Sequence, residues 1–234
     1  MTLVLPGRSR EGELMDGAGL SFAEFRACLR QLEWINRLSL GYRPTLRWLD
    51  RVARGSTSLS VLDVGSGHGD TLRRIAAWGS RRGVALRLTG LDLNPWSAEA
   101  ATLATPPEMA ITYETGDVFV LDPARRFDVV VSALFTHHLD DAQLLRFLRW
   151  MQGTARLGWF VNDLHRHRLP EWFLRAVFAA PGVNRLVRHD GPASFRRAMT
   201  RAEWQQALDA AGVGGRIAWH APFRWGVEGG ASHG

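Results

Sequence analysis

The sequence lacks several features that would each define a class of protein. Its single cysteine, Cys28, excludes an internal disulfide and a zinc site built from several cysteines. No apolar run reaches the roughly 20 residues that a membrane-spanning helix needs. Residues 1–14 lack the basic start and the cleavage site of a secretory signal. We therefore expect a cytoplasmic protein without stable insertion into a membrane.

Lysine is also absent, so all 29 Lys and Arg side chains are arginine, and the formal net charge is +6. A basic balance of this kind invites a nucleic-acid interpretation. However, the arginines alternate with acids, as in "TRAEWQQALDAAG", and no aromatic RNA-binding strand is present. We expect no nucleic-acid partner, and an RNA-directed protein remains an alternative that only the charge favours.

With 234 residues, of which 46% are hydrophobic, the chain can bury one substantial core. We expect a flexible leader over 1–20 and a single domain over 21–234. The domain begins with a helical cap over 21–54, where Ser21 is the expected N-cap residue and Glu24 completes a capping box. The oligomeric state, monomer or homodimer, stays open.

Strand and helix patterns alternate through the rest of the domain. Apolar runs predict five strands, which lie over 59–64, 85–94, 110–117, 127–135 and 156–165. Helical patterns separate these runs, and "GRIAWHAPFRWGVEG" predicts two further strands. The alternation predicts βαβ units, and hence an α/β fold with a doubly wound, mostly parallel, seven-stranded sheet.

The stretch "VLDVGSGHGD", residues 61–70, predicts a buried strand, a glycine-rich turn and the start of a helix. Gly65, Gly67 and Gly69 allow the backbone to approach a ligand closely, and the helix start offers free N–H donors. Taken alone, the stretch is also compatible with a tight turn that binds nothing.

The next strands end in residues with similar potential. Asp92 follows the second strand, where a ribose diol could donate two hydrogen bonds to it. Asp117 and Val118 follow the third strand, an acid beside an apolar residue that suits the edge and face of an aminopurine. Small residues around Ala133 end the fourth strand and leave room for a ligand. Because ligands of open parallel sheets bind at the carboxyl ends of the strands, we expect one site here.

The successive motifs "LDVGSGHG", "GLDLNP", "ETGDVF" and "FDVVVSALFTHHL" resemble those of class I S-adenosylmethionine-dependent methyltransferases over residues 59–139. The resemblance implies their Rossmann-like fold, with a cofactor-binding core over 55–165 and an acceptor lid region over 166–200. An NAD(P)-dependent oxidoreductase is the alternative, but its G-x-G-x-x-G pattern would need a third glycine at Asp70.

The same resemblance implies S-adenosylmethionine as the cofactor, with S-adenosylhomocysteine as the product. The residues expected to bind the cofactor are Asp63, Gly65, Ser66, Gly67, Gly69, Asp92, Leu93, Asp117, Val118 and Ala133. The glycine-loop residues from Asp63 to Gly69 in that list would hold the methionine portion. Asp92 and Leu93 would hold the ribose, and Asp117 and Val118 the adenine. Tyr42 and Arg43 of the helical cap are further candidates for the methionine carboxylate, although a solvated arginine face is an equally good interpretation.

The acceptor is expected to be a small aromatic molecule, phenolic or quinone-like, methylated at oxygen; carbon or nitrogen is the alternative. "SALFTHHL" resembles the ubiquinone- and menaquinone-pathway and natural-product methyltransferases, and the run after strand four that is typical of nucleic-acid N-methyltransferases is missing. The candidate bases are His138, His165 and His137, because they follow strands at the ligand edge.

A planar acceptor would need apolar side chains to cover it. The aromatic residues that could provide them are Trp172, Phe173, Phe178, Phe195, Trp219, Phe223 and Trp225. Asn162 and Asp163 resemble metal ligands of catechol O-methyltransferases, but Ser132 or Ala133 stands where the matching acid would be. We therefore expect no metal.

Overall fold

The computed structural model describes residues 7–9, 12–17, 19–172 and 182–230. Its helices are α1 (Phe22–Leu38), α2 (Arg43–Val52), α3 (Asp70–Arg82), α4 (Pro95–Ala104), α5 (Asp141–Thr154), α6 (Arg185–Arg197) and α7 (Arg201–Ala211). Its strands are β1 (Ser58–Val64), β2 (Ala85–Asp92), β3 (Ile111–Thr115), β4 (Phe127–Ala133), β5 (Ala155–Leu164), β6 (Arg216–His220) and β7 (Arg224–Gly230). Residues 168–172 are also helical, whereas Phe173 and Phe178 lie outside the described residues.

The seven strands form one sheet in the order β3-β2-β1-β4-β5-β7-β6. β1 pairs in parallel with β2 on one side and with β4 on the other. The direction in which the chain adds successive strands to the sheet therefore reverses at β1. Only β7 runs antiparallel to its neighbours, β5 and β6. The predicted fold class, a doubly wound and mostly parallel seven-stranded sheet, is confirmed.

Helices cover both faces of the sheet, which explains why its central strands are apolar throughout. In β5, Trp159 packs on the side of α5 and α7, whereas its neighbour Phe160 packs on the side of α2 and α3. Phe160 stacks on Trp48 of α2, with ring centroids 5.3 Å apart. The sheet therefore separates two apolar layers, and its carboxyl edge lies open between them.

Local signals in the sequence set the helix starts. At α1, Ser21 accepts a hydrogen bond from the Glu24 amide, and the Glu24 carboxylate accepts one from the Ser21 amide. The same reciprocal arrangement begins α5 at Asp140 and α7 at Thr200. α1 packs against α4 and α6, and this position places it over the carboxyl edge of the sheet.

Part of the expected leader, residues 12–17, packs against the domain. Asp190 of α6 accepts hydrogen bonds from the backbone amides of Leu14 (2.8 Å) and Met15 (3.0 Å). The Glu13 side chain is buried and accepts a hydrogen bond from the Ser194 hydroxyl at 2.7 Å. These residues therefore belong to the wall of the domain. Across the part of the chain that the structure describes, no helix has the length and apolarity to cross a membrane.

Candidate functional site

A cavity of about 620 Å³ lies at the carboxyl ends of β1, β2 and β4, where the winding of the sheet reverses. Its floor is formed by the glycine loop after β1 and by the segments that follow β2, β3 and β4. Its other side is formed by α1 and by Met15. This is the position where open α/β sheets bind their ligands, so the cavity is the candidate site.

The glycine loop is tied to the end of β2. The Gly65 and Ser66 amides donate to the carbonyl of Leu91, at 2.9 and 3.2 Å. The Gly67 amide donates to Oδ2 of Asp92 at 2.9 Å. Gly67 has a φ of +49°, which favours glycine because it has no Cβ. The loop and Asp92 therefore form one connected surface of the cavity.

Asp92 keeps acceptor capacity beyond these contacts. Its Oδ1 accepts from the Asn94 amide at 2.9 Å, and an ionised carboxylate offers about four lone pairs. Burial raises the pKa of Asp92, and the hydrogen bonds from Asn94 and Gly67 partly offset this. Leu93 lines the cavity beside it with a largely exposed side chain.

Asp117, Val118 and Ala133 also line the cavity, as the sequence predicts. Oδ1 of Asp117 accepts a hydrogen bond from the Phe119 amide at 2.8 Å and caps a short helical turn. This contact fixes the carboxylate, and its remaining lone pairs stay available. Val118 is buried at the same turn and presents an apolar contact.

Asp63 and Gly69 lie behind the cavity wall. Asp63 is buried, and its Oδ1 has no hydrogen-bond partner among the described residues. Burial and the charges of Asp70 and Asp92 raise the pKa of Asp63. At Gly69 (φ +71°), a Cβ would collide with the Tyr113 hydroxyl, so this glycine serves the close packing of the loop.

The two candidates of the helical cap differ in position. Tyr42 is buried and donates to Oδ2 of Asp70 at 2.6 Å; Asp70 lines the cavity, whereas Tyr42 does not. Arg43 is exposed and does not line the cavity. The structure therefore connects Tyr42 to the site through one residue and leaves Arg43 apart from it.

The three candidate bases occupy different environments. His138 lines the cavity, and its side chain is 25% exposed. His137 is buried, and its Nδ1 lies 2.8 Å from Oδ1 of Asp163. His165 does not line the cavity; its ring lies 4.7 Å from that of Trp225, and burial lowers its pKa. Geometry therefore favours His138.

The neighbours of His137 determine the direction in which its pKa is shifted. Burial lowers its pKa, but the charge and hydrogen bond of Asp163, together with Glu13, outweigh burial and raise the pKa to about 9. Burial raises the pKa of Glu13, whereas His137, His138 and Ser194 together lower it to about 2. The two carboxylates therefore favour the protonated form of His137.

Sequence reasoning missed two acidic side chains at the site. Glu13 comes from the leader, and the expectation of no metal considered only an acid after β4. Glu33 of α1 lines the cavity and lies 2.6 Å from Nδ1 of His68 and 2.6 Å from Nη2 of Arg73. Neither residue lies in a motif, so only the packing of the N-terminal segment and of α1 onto the sheet reveals them.

The apolar lining also differs from the expected one. Of the aromatic residues that were candidates to cover an acceptor, the five described ones do not line the cavity. The apolar side chains that line it come instead from the N-terminal segment, from α1 and from the loops after β3 and β4: Met15, Phe25, Leu29, Leu32, Phe119 and Phe135. Among the described residues, α1 therefore supplies part of the apolar cover of the cavity.

Comparisons with known proteins agree with this geometry. Residues 61–158 match the family model described as a methyltransferase domain. The chain is 27% identical over 174 residues to the 2-methyl-6-phytyl-1,4-hydroquinone methyltransferase of Synechocystis, an alignment that covers 67% of this chain. It covers 52% of the relative, so this chain spans about half of that protein's length.

Solved structures share the fold at low identity. Human N-acetylserotonin methyltransferase in complex with S-adenosylmethionine superposes with a TM-score of 0.63 at 17% identity, over 90% of this chain and 56% of the other. A SAM-dependent methyltransferase from Aquifex aeolicus gives 0.61 at 16%, over 87% and 97%. These structures share the fold of this chain, and residues 61–158 match the methyltransferase domain model, so the predicted resemblance to class I methyltransferases is confirmed.

Proposed function

We propose that this chain, by means of the methyltransferase domain at 61–158, transfers a methyl group from S-adenosylmethionine to a small aromatic acceptor, at a phenolic oxygen. The observation that carries the proposal is the single cavity in which the glycine loop, Asp92, Asp117 and His138 meet. The first three suit the cofactor, and the last suits an acceptor that must lose a proton.

The charges around the glycine loop fit the cofactor. Asp63 has an unpaired buried carboxylate oxygen beneath the loop, and Asp70, Asp92 and Glu33 line the cavity. S-adenosylmethionine carries an ammonium and a sulfonium, and carboxylates favour such cations at short range. We assign the methionine portion to the loop, the ribose to Asp92 and Leu93, and the adenine to the turn at Asp117 and Val118.

Apolar side chains that line the cavity fit an aromatic acceptor. Leu32 of α1, Met15 and Phe135 line the cavity, and the Phe135 ring packs against Phe147 in an edge-on arrangement at 5.2 Å. Aromatic ligands gain stability from such contacts in proportion to the apolar area they bury. The hydroquinone in the name of the Synechocystis relative supports a phenolic acceptor for this chain.

The chemistry requires alignment and the removal of one proton. The oxygen lone pair attacks the methyl carbon, the carbon–sulfur bond breaks, and its electrons return to sulfur to give S-adenosylhomocysteine. The sulfonium is already activated, so the protein holds the three atoms in line and excludes water. A phenol, with a pKa near 10, gains from a base on the cavity wall, and we assign this role to His138.

Binding and turnover together test the proposal. Calorimetry with S-adenosylmethionine and S-adenosylhomocysteine should show one site, and a screen of phenols and hydroquinones should give methylated products whose position mass spectrometry and NMR define. His138→Ala should lower the rate by about 10²–10⁴-fold with unchanged cofactor affinity. The matched control, His220→Ala on β6, should keep the rate.

Three results would argue against the proposal. Binding of NAD(P) in place of the methionine cofactor would favour the oxidoreductase alternative. Salt-sensitive binding of RNA would favour a nucleic-acid role. Methylation found only at carbon or nitrogen would retain the methyltransferase and refute the choice of oxygen.

A further inference from the structure

Three side chains of the types that can bind a metal lie close together where His138 lines the cavity. Nε2 of His137 lies 3.6 Å from Oε1 of Glu13, and Nε2 of His138 lies 3.8 Å from Oε2 of the same carboxylate. The donor atoms of all three lie within 4.8 Å of one another. Two imidazoles and one carboxylate are ligands that divalent transition metals prefer.

His137 is oriented as a metal ligand would be. Its Nδ1 is 2.8 Å from Oδ1 of Asp163, so Asp163 holds the Nδ1 proton, and Nε2 faces Glu13 and would release its own proton to solvent when an ion binds. Asp163 is itself fixed, since its Oδ2 accepts from the Thr136 hydroxyl at 2.5 Å and from the His137 amide at 3.1 Å. A carboxylate behind the imidazole is the usual support of a histidine that binds a metal.

Glu13 is equally constrained. Its side chain is 4% exposed, and the Ser194 hydroxyl donates to Oε1 at 2.7 Å. The next two residues are held through their backbone amides by Asp190. The carboxylate therefore stays next to the two histidines without an entropic cost of ordering at the moment of binding.

The spacing suits a tetrahedral ion. With zinc–ligand bonds of about 2.1 Å, two ligand atoms of a tetrahedron lie about 3.4 Å apart. The separations of 3.6 and 3.8 Å, which run to the two different oxygens of Glu13, are slightly longer, and rotation of the partly exposed His138 side chain can close the remainder. Three protein ligands with a fourth position open are typical of catalytic rather than structural zinc sites.

We propose that Glu13, His137 and His138 bind a divalent first-row transition ion of the Zn²⁺ class, with its open position directed at the cavity. His138 is the ligand that lines the cavity, and it is more exposed than the other two. The ion is therefore reached from the cavity, and the buried pair Glu13 and His137 holds it from behind.

This inference rests on the proposed function and sharpens its acceptor class. An oxygen of the acceptor fills the open position, and the ion lowers the pKa of that hydroxyl so that its proton passes to water. The oxygen then attacks the methyl carbon as described above. In the loaded protein His138 is a ligand, and the ion replaces it as the group that favours the ionised oxygen. The acceptor class is thereby narrowed to aromatic molecules that carry a hydroxyl group.

Cobalt substitution tests the site without any assay of activity. The full chain, prepared without a polyhistidine tag and stripped with a chelator, is titrated with Co²⁺ and followed by visible absorption. We expect one equivalent to bind with the intense bands of a tetrahedral site. Glu13→Gln and His138→Ala should lose these bands and weaken binding by more than 10-fold, whereas His220→Ala should bind as the unmodified chain does.

Two controls separate the possible failures. If Co²⁺ does not bind while S-adenosylhomocysteine does, the metal site is refuted and the three residues form an ion-pair network only. If Co²⁺ binds equally well to the His138→Ala variant, the proposed ligands are wrong. If Co²⁺ binds as expected but S-adenosylhomocysteine does not, the metal site stands and the proposed function fails.

Discussion

At the scale of single residues, Asp92 joins the glycine loop to the site, because its two oxygens accept from the Gly67 and Asn94 amides. Asp92→Ala should weaken S-adenosylmethionine binding by about 1.5–3 kcal/mol, the range of charge-assisted hydrogen bonds, which is about 10- to 150-fold. Calorimetry measures the change. Asp92→Asn keeps the shape and one acceptor oxygen, so its affinity for the cofactor should lie between those of the wild type and the alanine variant. An unaltered affinity in the alanine variant would show that Asp92 is not part of the cofactor site.

Cys28 is buried in α1 with its sulfur 3.7 Å from that of Met15. Burial, helped by the charges of Asp190 and Glu13, raises the pKa of the thiol to about 12. Since the thiolate is the reactive form, the native protein should react with a disulfide reagent at pH 8 at least about 100-fold more slowly than the unfolded chain. Ser80→Cys, on the exposed side of α3, adds a fast-reacting control; rapid reaction of Cys28 itself would show that α1 opens.

At the scale of elements, the glycine loop must leave space for a ligand. At Gly67, a Cβ would meet only Leu29 of α1, at 3.9 Å, so a larger side chain would enter the cavity. We expect Gly67→Val to reduce cofactor affinity more than 100-fold while the far-UV circular dichroism stays native. Gly83→Val is a matched control, since Gly83 also has a positive φ, +68°, with open space around it. Equal cofactor affinity in both variants would mean that the loop is only a turn.

Asp190 of α6 holds two backbone amides of the N-terminal segment. Because Asp190 accepts from the Leu14 and Met15 amides, Asp190→Ala should free both and raise their hydrogen-exchange rates by at least 10-fold, as expected when a bond to a charged acceptor is lost. Asp209→Ala on α7 should leave these rates unchanged. Exchange rates that stay slow in Asp190→Ala would show that the other contacts of the segment, such as the hydrogen bond between Glu13 and Ser194, are enough to hold it.

At the scale of the whole molecule, Glu33 connects α1 to the glycine loop through His68 and to α3 through Arg73. Burial raises its pKa, but the hydrogen bonds and charges of His68 and Arg73 outweigh burial and lower it from 4.5 to about 2. A carboxyl whose pKa is lower in the folded state stabilises the fold above its unfolded pKa. That stabilisation, on the order of 2 kcal/mol, should be lost as the pH falls from 5 to 2.

Urea denaturation of the wild type and Glu33→Gln measures this loss. The difference in unfolding free energy between the two should be largest near neutral pH and should shrink towards pH 2, because only the wild type titrates at this position. Glu99→Gln, at an exposed position of α4, should follow the wild type throughout. A constant difference would show that Glu33 does not stabilise the fold through its charge.

Much of the fold follows from local patterns in the sequence. The β1 to β5 segments were predicted within one to two residues at each end, because buried parallel strands are apolar runs and helix starts carry their own capping residues. The residues of the cavity floor could also be predicted from the sequence, because parallel strands bring their carboxyl ends to one edge of the sheet. The predicted residues that line the cavity at these strand ends are Gly65, Ser66, Gly67, Asp92, Leu93, Asp117, Val118 and Ala133.

The sequence by itself therefore determined the sheet and the side of the cavity that the sheet forms, since both depend on patterns within a few residues of each other. Only the tertiary structure decided which residues form the opposite wall of the cavity. Glu13 reaches His137 and His138 from more than 120 positions away, and Glu33 of α1 meets His68 of the glycine loop from 35 positions away. No local periodicity encodes such pairings, because they arise from how an N-terminal segment and α1 pack over a sheet edge that forms independently of them.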